Sequence, residues 1–133
     1  MKVLLDTHIW LWSQVEPERL SKRLARLLAA GDTELWLSPI SIWELLLLVE
    51  RRRVDVPAGT SAVEWVETAL TRTPMLEAPL NREVALRSRS VHVEHDDPAD
   101  RFLAATADVY DLVLATADKR LLRGKGFKTV ANR

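Results

Sequence analysis

Apolar positions fall into short unbroken blocks, separated by longer stretches in which they recur every three or four residues. The blocks KVLL at 2–5, ELWL at 34–37 and LVLA at 112–115 are too short for helices and read as buried strands. FKTV at 127–130 is a candidate last strand, and MLEAPL at 75–80 a short extended piece. Between the blocks, Leu20, Leu24, Leu27 and Leu28 give residues 18–30 a helical spacing that stops at Gly31-Asp32. Ser38-Pro39 joins an N-cap to a proline at the first helical position and opens a helix to about residue 53. VDVPAG at 54–59 reads as a turn, and helices are expected over 60–72 and 81–91. Asp97-Pro98 starts a further helix to about Val109, and a short helical turn follows Asp118. Strands alternating with helices predict an α/β fold with a parallel sheet covered on both faces. In such sheets the working site lies at the carboxyl ends of the strands.

That rule makes four acids informative. Asp6 ends the first strand block, and Asp118 follows LVLA through Thr116-Ala117. Glu44 sits in PISIWELLLLVERRR, with Ile40, Ser41, Leu47 and Leu48 as its helical neighbours. An acid on such a face needs a partner, or it shifts its proton affinity. Asp100 heads the stripe Leu103, Ala104, Ala107 and so faces inward at a helix start. Each acid also has a plain structural reading: Asp6 and Asp118 as helix caps, Glu44 as a salt-bridge partner, Asp100 as a charge favoured by the helix dipole. Joint placement favours a common site. Two carboxylates about 5 Å apart repel by roughly 3 kcal/mol at an effective dielectric near 20. Four would not stay ionised together without a cation, and an all-oxygen donor set suits Mg²⁺ or Mn²⁺. Such ions assist phosphodiester chemistry.

The 133 residues fit one domain spanning 1–133. The absence of cysteine excludes disulfides, thiolate metal sites and a cysteine nucleophile, and fits a reducing cytoplasm. No apolar run is long enough to span a bilayer, so no membrane role is expected. Net charge is zero, but Lys119, Arg120, Arg123, Lys125 and Lys128 form a basic C-terminal stretch, preceded by Asp96, Asp97 and Asp100. A neutral chain with separated patches can still bind an anion locally.

The segments LLDTH, SPISIWEL, DPADRFLAATA and LATADKRLL, in this order and spacing, resemble the PIN-domain ribonucleases, and among them the VapC-type toxins of bacterial toxin–antitoxin pairs. The likeness runs from residue 3 to about residue 122. It implies a three-layer α/β/α fold and a Mg²⁺-dependent endoribonuclease, with Mn²⁺ able to substitute. Its acids carry over to Asp6, Glu44, Asp100 and Asp118. Asp6 and Asp100 would be the main metal ligands, with Asp118 and Glu44 completing the site directly or through water. Thr7 and Thr116 would hold acids, waters or substrate by their hydroxyls. Arg101 and Arg120, adjacent to two of the acids, are the candidates for phosphate contact. Asp97 remains a helix cap, and His95-Asp96 is a local variation with no role assigned. The resemblance also implies a VapB-type antitoxin that lays a helical tail over the groove, often with a basic side chain near the acids, and a toxin homodimer.

Other readings compete. His8 beside Asp6 could be a general base but reads better as a structural or groove-lining residue. His92 and His95 lack a third zinc-type ligand. Trp36 and Trp43 are expected in the core, while Trp10, Trp12 and Trp65 are open between core, dimer contact and antitoxin groove. A Mg²⁺-dependent phosphatase with Asp6 as nucleophile would want an acid where His8 stands. A non-catalytic protein-binding module would have no need of the full acid set.

Overall fold

The computed structural model describes residues 1–133. Five strands form one sheet in the order β3-β2-β1-β4-β5: β1 (Lys2–Leu5), β2 (Glu34–Leu37), β3 (Leu76–Glu77), β4 (Val113–Thr116) and β5 (Lys128–Ala131). Every pairing is parallel. Seven helices connect them: α1 (Thr7–Val15), α2 (Lys22–Ala29), α3 (Pro39–Glu50), α4 (Ala62–Arg72), α5 (Arg82–Arg87), α6 (Pro98–Val109) and α7 (Lys119–Leu122).

Alternation along β1 separates two cores. Val3 and Leu5 join Ile9, Trp10, Leu24, Leu45 and Val66 on one face, under α1 to α4. Leu4 joins Leu103, Ala104, Leu114 and Leu121 on the other, under α6 and α7. This is the three-layer α/β/α arrangement, with the sheet buried on both sides.

The chain leaves β1 for β2 and β3, then crosses back to β4 on the opposite side of β1. The crevice between β1 and β4 is therefore the point where strand order reverses, the usual place for a ligand in such sheets. Asp6 lies at the end of β1, and its backbone N–H donates to the Ala115 carbonyl of β4 at 3.0 Å.

Several boundaries differ from expectation. The helix expected over 18–30 breaks into a 3-10 turn at Pro17–Arg19 and α2, because Ser21 opens a new helix by accepting from the Leu24 N–H. Ser21 is itself fixed by Asn132, which accepts its N–H at 2.7 Å, a contact far away in sequence. The helix expected to about residue 53 ends at Glu50, and Arg52 adopts a positive φ of 56°. The helix expected over 81–91 is only Arg82–Arg87, capped by Asn81. Beyond it, the carbonyls of Ser88 and Val91 face Arg101 instead of a following helical turn. MLEAPL contributes only the two-residue edge strand β3.

Candidate metal centre

Each acid reaches the site by a local rule. Asp6 caps α1, with one carboxylate oxygen accepting the Thr7 N–H at 2.7 Å. Its other oxygen accepts the Thr116 hydroxyl at 2.6 Å. Thr116, the last residue of β4, also accepts the Asp118 N–H at 3.0 Å. One buried hydroxyl thus ties together the two acids that follow β1 and β4.

Glu44 projects from α3 toward α1, where the Thr7 hydroxyl lies 2.6 Å from its carboxylate and 3.0 Å from Ser41 Oγ. That hydroxyl has one hydrogen, so the shorter contact to the carboxylate takes it and Ser41 donates to Thr7. Asp97 caps α6 through the N–H groups of Ala99 and Asp100, which aims the first turn of that helix at the sheet edge. Asp100 is buried there.

The four acids converge on one hollow of about 380 Å³, lined also by His8, Trp12, Asp97, Ala117 and Arg120. Its electrostatics are strained. Burial pushes the Asp6 carboxyl up, against the opposing pull of its Thr116 bond. Burial also raises Glu44, with Asp6 and Asp97 adding to the effect. Asp100 is pushed up to about 7, first by burial and then by the charges of Asp6, Asp97, Asp118 and Glu44. Only Asp118 stays low: burial opposes this, but hydrogen bonds from the Arg120 guanidinium and N–H outweigh it. Three carboxyls held above their ordinary range, in a hollow with one basic side chain at its rim, fit a hard divalent cation held by oxygen.

Thr7 and Thr116 hold acids, which leaves neither hydroxyl free to donate to a substrate. Both are buried and their hydroxyls are occupied by carboxylates. Arg120 is exposed and lines the hollow. Arg101 is misassigned as a phosphate contact. Its guanidinium points away from the hollow and donates to the carbonyls of Ser88, Val91, Val93 and His95. Trp43 is not a core residue: it is 52% exposed. Trp36 is half-buried against the second core and stacks on Tyr110. Trp10 is wholly buried, Trp65 packs on the first core, and Trp12 lines the hollow. Three of the five C-terminal basic residues face acids: Arg120 with Asp118, Arg123 with Glu94, and Lys128 with Asp111.

His95, to which the sequence assigns no role, lies beside one of the acids. Its ring lies behind Asp100, with Nε2 3.2 Å from Asp100 Oδ2. A single histidine in an irregular loop carries no periodic signal that would place it.

The family model for the PIN domain matches residues 3–126. The chain belongs to the PIN-domain family. Within that family it is of the VapC type: it is 34% identical over 125 residues to "Ribonuclease VapC22" of Mycobacterium tuberculosis (strain ATCC 25618 / H37Rv), covering 90% of this chain and 88% of the relative. The PIN fold is shared with VapBC2 from Rickettsia felis, solved bound to a promoter DNA fragment, at a TM-score of 0.73, 13% identity and 98% of both chains. It is shared too with DNA-bound VapBC from Salmonella typhimurium, at a TM-score of 0.66, 20% identity and 98% of both chains. The sheet and the strand order are thus those of a PIN domain. No helix of this PIN domain is long and apolar enough to cross a membrane.

Proposed function

We propose that the chain is a metal-dependent endoribonuclease and acts in the cytoplasm as the toxin of a VapBC-type pair. The observation that carries this reading is the convergence of Asp6, Glu44, Asp100 and Asp118 on one hollow whose carboxyls are mostly held above their ordinary range. The relative named as a ribonuclease supports the choice of RNA.

Asp6, Asp100 and Asp118 would hold Mg²⁺ or Mn²⁺. When bound, the ion supplies positive charge to the phosphate and lowers the pKa of water. The chain does the rest. Thr116 fixes the spacing of Asp6 and Asp118, and the Thr7 hydroxyl orients Glu44. Glu44 takes the proton of the attacking water, as a carboxyl raised by burial suits a base working near neutrality. Water adds to phosphorus, the ester P–O bond opposite breaks, and the leaving oxygen takes its proton from solvent. Arg120 at the rim contacts a phosphate oxygen.

A VapB-type antitoxin is the proposed protein partner. Relatives of this fold were solved as toxin–antitoxin complexes, among them one from Klebsiella pneumoniae. Beside the acid hollow lies an apolar one of about 810 Å³, including Ile40, Trp43, Leu47, Leu80 and Phe102 in its lining. The two hollows share His8, Glu44 and Asp97, so an apolar segment seated in one reaches the acids of the other.

The test is cleavage of total RNA by antitoxin-free protein in Mg²⁺ or Mn²⁺, with EDTA and Asp100→Asn as controls. The expected result is cleavage lost in both controls. A folded wild-type protein that neither cleaves RNA nor binds Mn²⁺ would overturn the reading.

A further inference from the structure

Three of the four acids have a hydrogen-bond donor that orients the carboxylate. Asp6 has the Thr7 N–H and the Thr116 hydroxyl, Glu44 has the Thr7 hydroxyl, and Asp118 has Arg120. Asp100 has none aligned on its carboxylate. The nitrogen beside it is His95 Nε2, 3.2 Å from Oδ2. That nitrogen is buried and makes no hydrogen bond, because its approach to Oδ2 is not aligned as one. The two side chains are only 16% and 13% exposed, so solvent is a poor substitute partner for either.

The other ring nitrogen decides the tautomer. Nδ1 accepts the backbone N–H of Asp97 at 3.2 Å. A nitrogen that accepts a hydrogen bond has its lone pair free of a proton, so the proton of the neutral ring sits on Nε2. Donor atoms of His95, Asp97 and Asp100 lie within 4.8 Å of one another, close enough for a shared cation. The tautomer argues against that use. One ring nitrogen has its lone pair engaged and the other carries a hydrogen. His95 is also absent from the lining of the acid hollow. It stands behind Asp100, where a donor is missing.

We propose that His95 is the positioning residue of Asp100: from 3.2 Å away, a small turn of either side chain aligns its Nε2–H on Oδ2 and leaves the other carboxylate oxygen to face the cation. The proposal rests on the metal-dependent reading above. Partners of this kind set the geometry of metal-ligating carboxylates, and their loss typically weakens metal binding. His95 is thus the fourth member of a set whose other members are Thr7, Thr116 and Arg120. Its own place is fixed by the Asp97 N–H, so the cap of α6 orients Asp97 and, through His95, Asp100.

Two substitutions separate this role from simple support of the loop. In His95→Asn the side-chain oxygen stands near the place of Nδ1 and keeps the acceptor for the Asp97 N–H, but no donor reaches Asp100. In His95→Gln the amide N–H stands near the place of Nε2 and reaches Asp100. Mn²⁺ affinity is measured by electron paramagnetic resonance titration of the whole chain, with thermal melts of the metal-free proteins alongside. The expected result is that His95→Asn binds Mn²⁺ about 10–100-fold more weakly while His95→Gln stays close to wild type. The proposal is overturned if His95→Asn binds as well as wild type, or if both variants weaken equally. It is overturned as well if ¹⁵N-histidine labelling shows a nitrogen bonded directly to Mn²⁺, which would make His95 a ligand. Wild-type protein that binds no Mn²⁺ would sink the metal reading and this proposal with it. Tight wild-type binding with an unaffected His95→Asn would remove this proposal alone.

Discussion

Asp100 carries a sharp electrostatic conflict, and it makes a prediction about stability. Its carboxyl moves from 3.8 to about 7 on folding, because burial and four neighbouring acids disfavour the charge. A raised folded-state pKa means that the folded protein binds the proton more tightly than the unfolded chain. Stability from this group is therefore full below about pH 4 and is lost as pH rises toward 7, by at most about 1.4 kcal/mol per pH unit. Burial also raises Asp6 and Glu44, which bend the whole curve, so the readout is a difference. In EDTA, wild type should lose stability relative to Asp100→Asn between about pH 4 and pH 7, and saturating Mn²⁺ should close the gap. Parallel melting curves across that range would show that Asp100 is not held in this conflict. The four acids were legible in the sequence because each obeys a positional rule: two follow apolar strands, one heads an inward stripe, one interrupts an apolar helix. What orients them was only partly legible. The sequence offers Thr7 and Thr116 as holders of acids, but which hydroxyl meets which carboxylate depends on how α1, α3 and β4 meet. The sequence assigns His95 no role, because its meaning lies in the approach of a loop to a helix.

At the scale of elements, strands and the longer helices followed from apolar spacing and caps, and the errors collect where a distant contact ends an element. Arg101 is the clearest case. From the sequence it stands beside Asp100 and reads as a phosphate contact. In the fold it lies one residue round α6 and faces the loop between α5 and α6. There its guanidinium serves four carbonyls between Ser88 and His95, in the segment that follows the end of α5 at Arg87. Replacing it with Met keeps much of the packing and strands those acceptors. Hydrogen bonds to charged groups contribute about 1.5–3 kcal/mol, so Arg101→Met should cost about 2 kcal/mol or more and lower Tm by about 5–10 °C. Amide exchange should rise first in residues 88–95, the segment that carries His95. If Arg101 instead contacted substrate, the variant would melt like wild type and bind RNA more weakly.

For the molecule as a whole, the telling feature is an apolar surface beside an acidic one. Helix α3 is apolar nearly all round, PISIWELLLLVE, so its sequence pattern gave no way to tell which side faces out, and Trp43 read as core. The fold turns Leu45 and Val49 inward and leaves Trp43 52% exposed, with Leu80 40% exposed in the same hollow. Large exposed apolar patches mark interaction sites more often than not in soluble chains. Trp43 does not line the acid hollow, whereas the two hollows meet at His8, Glu44 and Asp97. The proposed antitoxin contact and the proposed chemistry are therefore separable by mutation. A buried tryptophan anchor is worth about 2 kcal/mol or more at an interface, equivalent to roughly 30-fold in affinity. Trp43→Glu adds an acid where an apolar segment should sit. It should cleave RNA like wild type and bind a co-expressed VapB-type antitoxin at least that much more weakly, so that cells carrying both proteins stop growing. A Trp43→Glu protein that the antitoxin still restrains would move the partner's footing elsewhere, and one that loses cleavage on its own would join this surface to the acid site.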